Sequence, residues 1–196
     1  MMPLPTEPFS KTDLRAAAIA RRAALSVEQR AAAAITLATR GLPVDIAPGA
    51  IVSGYWPIRA ELDPLPLMRR LAADGAQLAL PVIVARDQPL IFRAWTTDAQ
   101  LLRGQLGIME PSPDSAVVLP DIVLVPLAAF DCLGHRIGYG AGHYDRTFEQ
   151  LRAAKSIIAI GLALDVQEID AVPALAHDAR LDYVLTETRT LDFRST

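Results

Sequence analysis

The stretch Ile122-Val123-Leu124-Val125-Pro126-Leu127-Ala128-Ala129-Phe130 is apolar at every position, with no polar residue marking a solvent face. It is far shorter than the ~18 residues a membrane-spanning helix needs. It therefore reads as a strand buried on both faces, as in a parallel sheet covered by helices. Ile157 to Leu164 repeats the pattern. Working outward, β-branched and aromatic runs predict strands at Ile51 to Trp56, Leu78 to Val84, Leu90 to Trp95, Asp121 to Val125, Ile157 to Gly161 and Asp182 to Leu185. The second and third of these are joined across Asp87-Gln88. Helical signals lie between the strands. Ser10 followed by Asp13 opens a helix running to about Leu25, and Ser26 with Gln29 forms a capping box for a helix ending near Gly41-Leu42-Pro43. Leu65 to Asp74 is closed by Gly75, and Arg146 to Ala154 is a fourth helix. Strands alternating with helices predict an α/β layered fold with a mainly parallel sheet.

The 196 residues fit a single domain spanning 10–196, preceded by a flexible tail from Met1 to Phe9 that holds three prolines. A hydrophobic share of 52% with 21% charged residues describes a folded chain. The net charge of −3 argues against a nucleic-acid or membrane-surface binder and leaves small anions as partners. No obligate protein partner is evident. The lone Cys132 makes no intrachain disulfide and is expected to be a small buried hydrophobe. Glu7, Lys11 and Asp13 among the amino-terminal prolines leave no apolar signal core, so a cytoplasmic protein is expected.

The chemistry concentrates in Gly134-His135-Arg136-Ile137-Gly138-Tyr139-Gly140-Ala141-Gly142-His143-Tyr144-Asp145-Arg146. Three alternate glycines let backbone N–H groups approach phosphate oxygens where a Cβ would intrude. Arg136 and Arg146 can neutralise phosphate charge, and Asp145 offers a hard oxygen to Mg²⁺. A Walker loop would need Lys-Ser or Lys-Thr where His143 and Tyr144 stand, and a dinucleotide turn would follow its strand at once, so neither fits. No His-Glu-x-x-His or paired-cysteine spacing exists, and no zinc site is expected. On the first helix Lys11, Arg15 and Arg22 fall within about 40° of one another at 100° per residue. They form either a solvated basic stripe or a ligand-facing one.

Taken with Leu124-Val125-Pro126-Leu127-Ala128-Ala129-Phe130-Asp131 before it, this segment resembles that of the 5-formyltetrahydrofolate cyclo-ligase family, also called methenyltetrahydrofolate synthetases. Further likenesses follow in order. They are Lys11-x-x-Leu14-Arg15 with Arg22-x-x-Leu25-Ser26, then Tyr55-Trp56-Pro57-Ile58-Arg59-Ala60-Glu61-Leu62-Asp63, Gly107-Ile108-Met109-Glu110-Pro111, and His177-Asp178-x-Arg180-Leu181-Asp182-Tyr183-Val184-Leu185-Thr186. The resemblance implies a Rossmann-like three-layer sandwich and ATP-dependent cyclisation of 5-formyltetrahydrofolate to 5,10-methenyltetrahydrofolate, with ADP and phosphate released. It places Lys11, Arg15, Arg136 and the segment Gly138, Tyr139, Gly140, Ala141, Gly142, His143 and Tyr144 on ATP. It places Asp145 and Asp178 on Mg²⁺, and Trp56, Glu61, Tyr139 and His143 on the folate, with Glu61 and Arg136 as catalytic residues.

The sequence departs from the family's pattern in three places. His143 stands where an aromatic is usual, Ala141 replaces a frequent glycine, and Leu106 sits where some relatives have tryptophan. Arg22 lies about 15 Å along the helix from Lys11 and stays undecided. A layered enzyme that uses no ATP, such as a sugar-phosphate isomerase, and a non-catalytic folate or nucleotide binder are the rival readings.

Overall fold

The computed structural model describes residues 10–175 and 178–194. In chain order these form α1 (Lys11–Ala23), α2 (Val27–Arg40), β1 (Ile51–Ser53), α3 (Leu65–Ala73), β2 (Gln77–Val82) and β3 (Ile91–Trp95). Then come β4 (Leu102–Arg103), β5 (Met109–Glu110), β6 (Val117–Val118), β7 (Ile122–Pro126), β8 (Ala129–Phe130) and β9 (Arg136–Ile137). The remainder is α4 (His143–Ala154), β10 (Ile158–Leu162), β11 (Tyr183–Leu185) and β12 (Thr190–Asp192).

Both capping boxes form. Ser10 Oγ accepts from Asp13 N–H at 3.2 Å, and Ser26 Oγ accepts from Gln29 N–H at 3.2 Å while Gln29 Oε1 accepts from Ser26 N–H at 2.8 Å. Gly41 ends α2 with φ 77°, a conformation that costs glycine little.

Eight strands make one sheet in the order β12-β11-β10-β7-β1-β2-β3-β6. The central pairs are parallel, and the outer pairs β11–β12, β2–β3 and β3–β6 are antiparallel. The unbroken apolar pattern of β7 follows from burial on both sides. Ile122 and Leu124 join the core beneath α2 and α3 with Leu37, Leu67 and Leu71, whereas Val123 and Val125 join the core beneath α4 with Phe148 and Leu151. Burying such a side chain contributes about 1.5–3 kcal/mol, so each strand residue serves one layer or the other. The result is a three-layer α/β sandwich.

From β1 the chain crosses to β2 through α3, while from β7 it crosses the opposite way to β10 through α4. The carboxyl ends of β1 and β7 therefore part at a reversal of strand order, where open α/β sheets form their crevice. At that end α1 packs through Ala18 on Ala129 and Ile137 of the β8–β9 hairpin. Its basic face is thereby brought to the crevice.

Several expectations need correction. β1 ends at Ser53 rather than Trp56: Gly54 N–H still donates to Ala79 O at 3.0 Å, and Tyr55 and Trp56 lie beyond the strand. α4 begins at His143, a turn before Arg146, since left-handed Gly142 (φ 64°) admits the helix without a side-chain cap. Cys132 is exposed, lying in the turn between β8 and β9 rather than in a core. The tail Met1 to Phe9 and His177 lie outside the described residues. Among the described residues no helix is long and apolar enough to cross a membrane.

Candidate active site

The crevice is a cavity of about 750 Å³, lined by every residue to which the sequence assigned ATP, metal or folate. Its two ends differ in chemistry.

One end is built of backbone and paired charge. The segment Gly138–Gly142 leaves β9 and enters α4, and both the segment and the first turn of this twelve-residue helix line the cavity, which puts the positive end of the helix dipole beside it. Gly140 (φ 96°) and Gly142 lie in the left-handed region, while Ala141 does not, which makes its loss of a glycine harmless. A Cβ on Gly138 would meet nothing within 4 Å, leaving room for a ligand oxygen. Arg15 Nε donates to Gly138 O at 2.7 Å, and Arg146 Nη2 donates to Ala141 O. Lys11 pairs with Asp178, whose Oδ2 also accepts from Leu175 N–H at 2.7 Å. Arg136 is 8% exposed and donates through Nη2 to Asp145 Oδ1 at 2.7 Å and through Nη1 to Ala179 O. Burial draws the Arg136 guanidinium below its ordinary pKa, and Asp145 opposes that shift. Asp145 Oδ1 accepts again from Ala179 N–H at 3.1 Å, so the acid is fixed from two sides.

The other end is aromatic around a buried carboxylate. Glu61 is 8% exposed and closes a tight turn on itself. Its N–H donates to Ile58 O at 3.1 Å, and its Oε2 accepts from Ile58 N–H at 2.8 Å. Arg59 within that turn holds φ 54°, a left-handed conformation that costs a non-glycine residue on the order of 1 kcal/mol. Burial pushes the Glu61 carboxyl above the usual carboxylate range, against the stabilising pull of Tyr139, the Ile58 amide, Arg22 and Arg59. Burial also raises the phenols of Tyr55, Tyr139 and Tyr144, each of which feels the Glu61 charge. Trp56 lines the same wall.

His143 Nδ1 lies 2.8 Å from Gln88 O, and His143 and Tyr144 stand on the first turn of α4 rather than in the loop. Arg22 is buried and does not line the cavity. Sequence reasoning missed Glu110. It is a buried carboxylate on the cavity wall whose Oε1 accepts from Ile83 N–H at 3.1 Å. Its only signal was an acid before a proline in a segment already singled out.

Among the described residues no group of three or more His, Cys, Asp or Glu side chains is placed to hold a metal by itself. Asp145 and Asp178 on the cavity wall fit an ion that arrives with phosphates, since Mg²⁺ is commonly held by one or two carboxylates plus substrate oxygens.

Comparison with known proteins decides the lineage of this site. The model of the 5-formyltetrahydrofolate cyclo-ligase family matches residues 8–187. The chain belongs to this family. It is 32% identical over 194 residues to the 5-formyltetrahydrofolate cyclo-ligase of Mycolicibacterium smegmatis, covering 93% of this chain and 96% of that protein. The Escherichia coli cyclo-ligase is 33% identical over 181 residues, covering 88% and 98%. The solution structure of Aquifex aeolicus 5,10-methenyltetrahydrofolate synthetase superposes with a TM-score of 0.78 at 28% identity, covering 94% of this chain and 93% of that one. In this chain Leu106 lines the cavity, 81% exposed and at φ 58°.

Proposed function

We propose that the cavity holds Mg²⁺-ATP at its glycine and cation end and 5-formyltetrahydrofolate at its aromatic end. The activity of this chain is conversion of 5-formyltetrahydrofolate to 5,10-methenyltetrahydrofolate, and the family uses ATP for it. The observation that carries the assignment of ends is that one cavity joins an anion-receiving helix terminus to a carboxylate ringed by flat side chains.

The substrate's chemistry sets the task. A formamide oxygen is a poor leaving group, so the γ-phosphoryl group is transferred to it from ATP, giving an iminium phosphate and ADP. N10 then attacks the formyl carbon, phosphate departs with that oxygen, and the N10 proton is released. Such a sequence asks the protein for position and charge rather than a covalent nucleophile. Lys11, Arg15 and Arg136 hold phosphates, and the Gly138–Gly142 backbone with the first turn of α4 wraps them. Asp145 and Asp178 hold Mg²⁺, which when bound would neutralise phosphate charge and align the transferring group. The ion pairs Lys11–Asp178 and Arg136–Asp145 keep both signs of charge in place: the cations suit phosphates and the acids suit the metal. Glu61 accepts from the N–H donors of the reduced pterin, Trp56 and Tyr139 flank its ring, and His143 borders it.

The test is direct. Purified protein with Mg²⁺, ATP and 5-formyltetrahydrofolate should generate the near-ultraviolet absorbance of the methenyl product, with one ADP formed per turnover. No product above background would contradict the reading, and product formation without ATP would remove the nucleotide from it.

A further inference from the structure

Arg22 is 1% exposed, two turns beyond Arg15 on α1, and the roles above do not use it. Its Nη1 donates to Leu127 O at 3.3 Å, but that carbonyl already accepts from Gln167 Nε2 at 2.7 Å. The backbone therefore does not require Arg22. Its Nε is buried with no hydrogen-bond partner. A guanidinium so placed is costly unless another charge offsets it. Its Cζ lies 6.0 Å from the centre of the Tyr139 ring, and the Tyr139 phenol interacts with both Arg22 and the Glu61 carboxylate. The charged and titratable groups facing Glu61 are Arg22 from α1, Arg59 from its own turn, Tyr55 after β1, Tyr139 from the glycine loop and Tyr144 from α4. Of the two cations, only Arg22 is buried.

We propose that Arg22 is a positioning residue for the folate half of the reaction, its guanidinium packed behind Tyr139 and fixing the phenol and the Glu61 carboxylate where they receive the reduced pterin. This rests on the folate reading of Glu61 and Tyr139 given above.

The experiment compares Arg22→Met, Arg22→Lys and Glu61→Gln. In Arg22→Met, kcat/KM for 5-formyltetrahydrofolate should fall roughly tenfold or more, with the Kd for Mg²⁺-ATP measured without folate unchanged within about twofold. The acid limb of the pH profile of that kcat/KM should move to higher pH, because removing a positive charge makes Glu61 harder to ionise. Arg22→Lys should restore the limb more fully than the rate, since an ammonium keeps the charge but not the flat ring contact. In the Glu61→Gln background, Arg22→Met should produce no further shift of the limb. A lower Tm with unchanged folate kinetics and an unmoved limb would overturn the proposal and make Arg22 a structural strut. Should Arg22→Met fail to fold, Arg22→Lys carries the test, and an unchanged rate and limb there overturn it. If Glu61→Gln itself leaves folate kinetics normal, the folate reading of this end fails; if only Arg22 variants are normal, the Arg22 proposal alone fails.

Discussion

The two ends of the cavity handle charge in opposite ways. At the phosphate end two cations are matched to acids, Lys11 with Asp178 and Arg136 with Asp145, while Arg15 and Arg146 bond the backbone carbonyls of Gly138 and Ala141. At the folate end the Glu61 carboxylate and the Arg22 guanidinium are both buried without a direct salt bridge between them, and Arg22 lies over the Tyr139 ring. The difference matches the ligands. A polyanion with its metal brings charges of both signs and can exchange with ready-made pairs. A reduced pterin is uncharged and presents N–H donors beside its carbonyl and formyl oxygens, so the protein must hold an acceptor in place for those donors. The phosphate end should thus be sensitive to side chains added at its left-handed glycines, and the folate end to loss of its carboxylate charge.

The largest effect expected at the phosphate end comes from Gly140→Val. At φ 96° a β-branched residue is forbidden, and the new side chain would grow toward Arg15, whose Nη2 lies 3.5 Å from the Cβ position. A cost of about 3 kcal/mol, roughly a hundredfold in kcat/KM for ATP, is expected from steady-state kinetics, with folate affinity little changed. Normal ATP kinetics would show that the loop does not approach the nucleotide. Asp145→Asn comes next. Mg²⁺ prefers anionic oxygens, so the Mg²⁺ concentration for half-maximal rate should rise on the order of tenfold, while folate binding holds. An unmoved Mg²⁺ titration would take Asp145 out of the metal site.

A smaller effect separates the ends by stability. The Glu61 carboxyl is raised in the folded state by burial, so its contribution to stability is fully present below the ordinary carboxylate pKa and is lost as pH rises through the folded value. Glu61→Gln should therefore have the higher Tm near pH 7.5, with the gap closing as pH falls toward 4, followed by circular dichroism melts. A gap independent of pH would mean that Glu61 is not desolvated in solution. The smallest effect is Ala141→Gly, where the backbone does not need φ > 0. Activity within about twofold is expected, the loss of one Cβ costing only a little backbone entropy.

What the sequence revealed follows the range of each signal. Capping boxes and apolar runs are local, and they located all four helices and the central parallel strands. The two-residue strands β4, β5, β6 and β9 carry no periodicity, because their partners are chosen by packing across space; the apolar run Ile122 to Phe130, read as one strand, breaks after Pro126 so that β8 pairs with β9 outside the main sheet, and the edge strand β12 went unread. The helical wheel put Arg22 on the face of Lys11 and Arg15, yet whether that face meets solvent, ligand or protein depends on what docks there. Here the Leu127 carbonyl and the Tyr139 ring meet Arg22. Glu110 was invisible for a related reason: an acid in a short strand looks exposed until Ile83 and Gly104 enclose it.

The measurement that tests the division of the cavity most directly is calorimetric titration of Glu61→Gln with each ligand separately, beside the unaltered protein. A lost charged hydrogen bond is worth about 1.5–3 kcal/mol, so affinity for 5-formyltetrahydrofolate should fall roughly tenfold to more than a hundredfold. Mg²⁺-ATP affinity without folate should stay within about twofold. Weakened Mg²⁺-ATP binding with folate affinity intact would put this carboxylate on the nucleotide side and contradict the account.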